Sequence, residues 1–233
     1  NKEMVRKFLC RGNHFLVANR RQREYWVKTS KQLGVSVDSQ RISVLPTGSG
    51  QIQNSEFRIQ NSARRNIVLW FGGIYPWMDP LPLVEAFGNI AKKFPNWKLR
   101  FLGGFHPDTG YKNLYQNVVS LARSKIYPKQ LEFIPWQTES NLIRYLSDVA
   151  FSVHLSKQTP EDYYAHRVRL LTLLSAGIPV LTAGQDTISD LAVRLGAASK
   201  TKLDIWSIEK CLNYLINYRE QLNKMNKYCL KVE

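Results

Sequence analysis

The chain has 233 residues, enough for one large α/β domain or two small ones with a sizeable core. Its 44% apolar and 22% charged content is ordinary for a globular protein, and no apolar run approaches the length of a membrane span. The formal charge of +15 calls for an anionic counterpart: nucleic acid, a membrane surface or an anionic small molecule.

Residues 1–66 hold 13 Lys/Arg against 4 Asp/Glu, so +9 of the excess lies at the amino end and +6 in the remainder. There "RRQREYWVK" (Arg20–Lys28) reads as the exposed face of a helix, either solvated or drawn to an anionic membrane. No nucleic-acid motif accompanies it, so nucleic acid is not expected as a partner. Cys10, Cys211 and Cys229 lie far apart in no metal-binding spacing and read as idle thiols of a reducing compartment. Because the sequence opens on Asn1, it reads as part of a longer polypeptide.

"HFLVAN" (His14–Asn19) predicts a short strand, Arg20–Leu33 a helix stopped by Gly34, and "RISVLPTG" a second strand closed by Pro46 and Gly48. Ser49–Asn66 is polar and reads as a linker or long surface loop, so residues 1–66 form an inter-domain region and 67–233 a separate domain. Beyond Asn66, apolar runs at 67–71, 98–103, 131–135, 149–155 and 179–183 alternate with helical patterns. Those helices fall at about Leu81–Phe94, Tyr111–Lys125, Ser140–Leu146, His166–Ala176, Thr187–Leu195 and Ile205–Tyr228. Strands apolar on both faces, alternating with helices, predict an α/β fold whose parallel sheet is sandwiched by helices.

Ligands in such folds bind beyond the carboxyl ends of the strands, which selects a few loops. In "FGGIYPWMDP", Gly72 and Gly73 let backbone amides approach an anion, while Tyr75 and Trp77 can stack on a sugar or base. Asp79 can accept from a sugar hydroxyl, or cap the helix that starts at Pro80. The turn lacks both dinucleotide-fingerprint spacing and a P-loop lysine. His106, in "LGGFHPDTG", can donate to a phosphate or sugar oxygen, and Trp136 can line a base pocket. Arg167 and Arg169 sit where a helix begins and suit a diphosphate, unless they pair with Glu161 and Asp162. Gln185 and Asp186 can meet ribose or sugar hydroxyls, Asp186 also suiting an N-cap. No nucleophile–base pair, metal cluster or Ser–His–Asp arrangement stands out, so neither catalytic residue nor metal is assigned.

In order along the chain, "FLVANRRQREYWVKTSKQLG", "VLPTG", "VLWFGGIYPWMDPLPLVEAF", "LRFLGGFHP", "FIPWQ", "DVAFSVHLS", "HRVRLL" and "SAGIPVLTAGQD" resemble the carboxy-terminal half of GT-B glycosyltransferases of the family-four-like bacterial type. The likeness covers about Phe15 to Gly196. It implies a Rossmann-like half of a GT-B fold that binds a nucleotide diphosphate sugar. The implied reaction is a retaining hexosyl transfer, without metal or cofactor, to a growing polysaccharide or lipid-linked glycan. By position it places Gly72, Gly73, Arg167 and Arg169 at the diphosphate, Trp136 near the base, and Gln185 and Asp186 near the sugar or ribose.

The setting implied is bacterial polysaccharide biosynthesis in the cytoplasm, peripherally on the inner face of the plasma membrane. An N-terminal acceptor domain is expected as partner, and the fragment alone is expected to be inactive. The glutamate pair usual before the Gly-x-Pro strand is absent, with Tyr164 and Thr172 at the aligned positions. The arginine and lysine usual after the glycine turn are replaced in the region of Trp77 and Asp79. These departures keep open a second reading, a non-catalytic basic module that docks on membranes or serves as a scaffold. A flavodoxin-like or epimerase-like enzyme is a third reading, disfavoured by the missing dinucleotide fingerprint.

Overall fold

A computed structural model describes residues 2–48, 65–105 and 111–229, placing His106 and most of the predicted linker outside the described residues. Two units are seen. The smaller consists of α1 (Lys2–Arg11), β1 (Phe15–Val17), α2 (Arg20–Gln32) and β2 (Ile42–Val44), with β1 and β2 paired in parallel. Its own small core joins Leu9, Val17, Val37 and Ile42. The region ahead of the predicted linker is therefore folded through Val44, with the expected strand, helix and strand, because these apolar positions face one another across a strand–helix–strand crossover.

The larger unit runs β3 (Ile67–Gly73), α3 (Leu81–Ala91), β4 (Lys98–Gly104), α4 (Lys112–Lys125), β5 (Leu131–Ile134), α5 (Glu139–Leu146) and β6 (Val149–His154). It continues with α6 (Pro160–Tyr164), α7 (Val168–Ser175), β7 (Val180–Thr182), α8 (Thr187–Arg194), β8 (Ala198–Lys200), α9 (Ile205–Asn217) and α10 (Arg219–Cys229). Its six parallel strands lie in the order β5, β4, β3, β6, β7, β8.

Both faces are covered, as the strands' double-sided apolar character requires. On β3, Val68 and Trp70 enter the core formed with α3, α4 and α9, while Ile67 and Leu69 enter the core formed with α7 and α8. Besides α1, which was not expected, three departures from the predicted elements are seen. The polar loop after β6 contains the short helix α6, Ala198–Lys200 adds an edge strand, and the single helix predicted over 205–228 breaks at Tyr218.

The strand order reverses between β3 and β6, because the chain runs outward through β4 and β5 before returning. A crevice opens at such a reversal, where the connections leave the sheet to opposite faces. The Gly72–Gly73 turn and the loop after His154 border it, and the two connections touch in an antiparallel bridge between Met78 and Ser156.

Candidate functional site

The floor of the crevice is backbone. Gly72 and Gly73 on β3 pair with Gly103 and Gly104 on β4, so two loops that look separate in sequence lie side by side. Gly72 has φ +92°, and a Cβ there would lie 3.4 Å from Nη1 of Arg169. Gly103 has φ +107°, and its Cβ would lie 3.1 Å from the Gly72 backbone. Any side chain would therefore fill this floor or force the strands apart.

Arg169, on the first turn of α7, lies over that floor. Its Nη1 sits 3.4 Å from the carbonyl oxygen of Phe71 and 3.5 Å from that of Gly73, contacts too long to be strong hydrogen bonds. The guanidinium faces the Tyr75 ring at 5.8 Å and has no carboxylate partner among the described residues. Burial, and secondarily the Arg167 charge, push its pKa down to about 10. It remains a cation at neutral pH, half-buried and without a carboxylate counter-charge among the described residues.

Arg167 departs from expectation. Its Nη2 donates to Glu161 Oε2 at 2.7 Å and to Asp162 Oδ1 at 3.2 Å, so carboxylates of its own chain already compensate its charge. The geometric reason is local: residues two apart at a helix start do not share a face. Arg169 turns toward the glycines and Arg167 toward α6.

Of the two roles open to Asp186, contact with a sugar or ribose hydroxyl and a helix cap, the structure shows the cap. Asp186 is wholly buried, and Oδ1 caps α8 by accepting from the Ile188 and Ser189 amides at 3.0 Å. Oδ2 accepts from Ser189 Oγ at 2.6 Å, leaving no face for a ligand. Burial pushes the Asp186 pKa up, but His154 and the Ser189 hydrogen bonds outweigh it, and the net direction is down.

Asp79 is half-buried and does not cap α3, whose N-cap is Pro80 without a side-chain bond. Trp77 stacks on Tyr75 with centroids 4.9 Å apart at 11°, and its indole nitrogen is buried without a partner. Trp136, at the end of β5, is 44% exposed and donates from Nε1 to the Phe105 carbonyl oxygen at 2.8 Å. Gln185 uses its backbone: its amide donates to Asp162 Oδ2 at 2.7 Å and its carbonyl accepts from Arg21.

Sequence reasoning treated Asp162 only as a possible arginine partner. Fully buried, it accepts from Ser156 Oγ, Arg167 and the Gln185 amide, joining three loops at the carboxyl edge of the sheet. His154, Asp162 and Asp186 present ligand-type atoms within 4.8 Å of one another. Every carboxylate oxygen in that group already accepts from a protein donor, so the set fits a structural knot better than a metal site.

Arg21 was missed altogether. Far from being a solvated member of a basic face, it donates to the carbonyls of Tyr163 at 3.0 Å and Gln185 at 2.5 Å and pairs with Asp190. Asn19 and Gln22 both donate to the Tyr164 carbonyl. The small unit thus grips the loop that leads through Arg167 into α7, where Arg169 sits. A cavity of about 950 Å³ lies between this unit and α7–α8, on the side of α7 lined by Leu171, Leu174 and Ser175 and away from the glycine floor.

Six parallel strands in this order, covered by helices on both faces, define a Rossmann-like α/β fold. No protein-family model and no curated protein matches the sequence. Solved structures do match, glycosyltransferases among them.

Sucrose-phosphate synthase from Thermosynechococcus elongatus aligns with a TM-score of 0.74 and 14% identity over 99% of this chain and 56% of its own. Anabaena HepE, solved with UDP and glucose, aligns with a TM-score of 0.71 and 13% identity over 99% of this chain and 61% of its own. The C-terminal domain of a group 1 glycosyltransferase from Francisella tularensis aligns with a TM-score of 0.54 and 19% identity over 71% of this chain and 82% of its own. The fold is that of GT-B glycosyltransferases, and the chain spans less than two thirds of the two longer proteins.

Proposed function

We propose that this chain is the donor-binding half of a glycosyltransferase and takes a nucleotide diphosphate sugar into the crevice between β3 and β6. The observation that carries this reading is Arg169, a half-buried guanidinium without a carboxylate partner among the described residues, packed against a floor of glycines that carries no side chains. A pyrophosphate supplies the missing charge and can use both features together. HepE, of the same fold, was solved with UDP and glucose, which fits a ligand of this class. Around the diphosphate, Trp77, Asp79 and Gln185 are within the loops that would face sugar and ribose, and Trp136 would lie toward the base. Arg167 joins the phosphates only by releasing Glu161, whose bond to it is exposed.

The finer reading follows the resemblance: hexosyl transfer to a polysaccharide or lipid-linked glycan, with the acceptor held by a further domain. The smaller unit supports that further domain. A two-stranded parallel sheet is too small to stand alone, and Leu16 and Leu45 are more than half exposed on it. Additional strands beside β1 would cover them. With Tyr164 and Thr172 where a glutamate pair is usual, retention of configuration rests on the resemblance alone. The same departure favours a second reading, a half that binds donor and no longer transfers it. Peripheral attachment to an anionic membrane is supported by the +15 charge; among the described residues no helix is long and apolar enough to cross a membrane.

Titration calorimetry with UDP-, GDP- and ADP-sugars tests the donor site. At least one should bind, and Arg169→Ala should weaken it about tenfold or more, the scale of a lost charge-assisted hydrogen bond. A folded wild-type protein that binds none of them overturns the proposal.

A further inference from the structure

A second cationic concavity lies on the small unit, outside the crevice. It is a groove of about 500 Å³ along α2, lined by Arg20, Arg23, Lys28 and Lys31 with Glu24, Val27 and Ser39. These positions recur every three or four residues, so they share one face of the helix. Four cations face a single acid there, and none of the four has a carboxylate partner among the described residues.

Arg23 is the anchor. Its Nη2 donates to the Ser39 carbonyl at 2.9 Å, which fixes the guanidinium in the groove wall, while its Nε is enclosed without any partner. The helix itself is harmed by this arrangement. Arg20 and Arg21 stand in a first turn that holds no acid, against the positive end of the helix dipole, and Arg20 repels Arg23 within one turn. Arg21 answers that cost by pairing with Asp190, but Arg20, Arg23, Lys28 and Lys31 do not.

We infer that the α2 groove is a binding site for a phosphate group, separate from the donor diphosphate site and independent of whether that site is read correctly. A phosphate in the groove would lie among Arg20, Arg23 and Lys31, converting mutual repulsion into shared attraction. The groove has no aromatic ring in its lining, so it does not suit stacked bases. Arg20 also lines the 950 Å³ cavity, so the groove opens toward the space between the two units. The phosphate can belong to a soluble ligand or to a lipid headgroup.

Two arms distinguish these sources: calorimetric titration with inorganic pyrophosphate, and co-sedimentation with phosphatidylglycerol vesicles against phosphatidylcholine vesicles. Both are performed in an Arg169→Ala background, which removes the crevice as a competing anion site. Lowered binding by at least about fivefold in Arg20→Gln/Lys31→Gln, with a smaller dependence on salt, is expected in one arm or both. A response to pyrophosphate assigns a soluble phosphate, and a response confined to the charged vesicles assigns a headgroup. Arg23→Gln should act in the same arm; because it is half-buried, the exposed double variant stands as the decisive one if it misfolds. Binding unchanged by the double variant in both arms overturns the inference, as does preferential displacement by a single-stranded oligonucleotide.

Discussion

Burial sets the behaviour of His154. Its ring is enclosed, Nε2 has no hydrogen-bond partner, and the nearest Asp186 oxygen lies 3.7 Å away. Desolvation pushes its pKa below the ordinary 6.5, outweighing the pull of Asp186, with Arg169 and Arg167 lowering it further. The sign follows directly. Below about pH 6.5 the unfolded chain takes up a proton that the folded ring refuses, so stability is present above that pH and drains away as pH falls. His154→Asn, measured by urea unfolding between pH 7.5 and 5, should flatten this slope; an unchanged slope would show the loss to arise elsewhere.

Arg100 gives a contrasting case. It is buried on β4 but bonded to Glu132 Oε2 at 2.7 Å, to both Asp148 oxygens and to the Tyr145 carbonyl. Here a buried guanidinium is compensated, and the net effect of those partners is to raise its pKa despite desolvation. Arg100→Ala should cost about 1–3 kcal/mol in chemical unfolding, with the partly exposed carboxylates keeping it below the cost of a wholly buried pair. Set beside Arg100, Arg169 stands out because it lacks such a cage.

Strands and helices show where local pattern is sufficient information. The five apolar runs after Asn66 all became strands, since each pattern of burial is written in a few consecutive residues. The paired glycines were visible one loop at a time, but their adjacency depends on the β3–β4 register, set by contacts some thirty residues apart. Asp186 was legible as either cap or ligand group, and only the packing of Ser189 and His154 decides it. Lys2–Arg11 and Ala198–Lys200 were missed because one is a polar helix and the other a three-residue edge. The glycine floor makes a prediction of its own. Gly103→Ala places a methyl 3.1 Å from the Gly72 backbone at a φ that side chains resist. It should cost about 1–3 kcal/mol, or several degrees in Tm, and weaken nucleotide-sugar binding as the two strand ends separate.

Across the whole chain, the donor crevice and the small basic unit are mechanically joined through one side chain. Arg21 reaches from α2 to the carbonyls of Tyr163 and Gln185 and to Asp190, and it lies over the Tyr163 ring at 4.2 Å. Those carbonyls flank the loop whose next residues are His166, Arg167 and Arg169, and His166 returns the contact by bonding the Thr47 carbonyl at 2.9 Å. The loop is therefore clamped from both ends by the smaller unit, while Asp162 clamps it from within the sheet. Removing Arg21 should leave the hydrophobic cores on the two faces of the sheet intact, because no residue of α2 belongs to either. Arg21→Ala should instead raise amide exchange at residues 163–167 and weaken donor binding severalfold through looser placement of Arg169. A parallel Arg21→Lys variant restores the charge but not the forked geometry, so it should recover only part of the affinity. If exchange rises throughout the sheet instead, Arg21 is a global stabiliser and the positioning role fails.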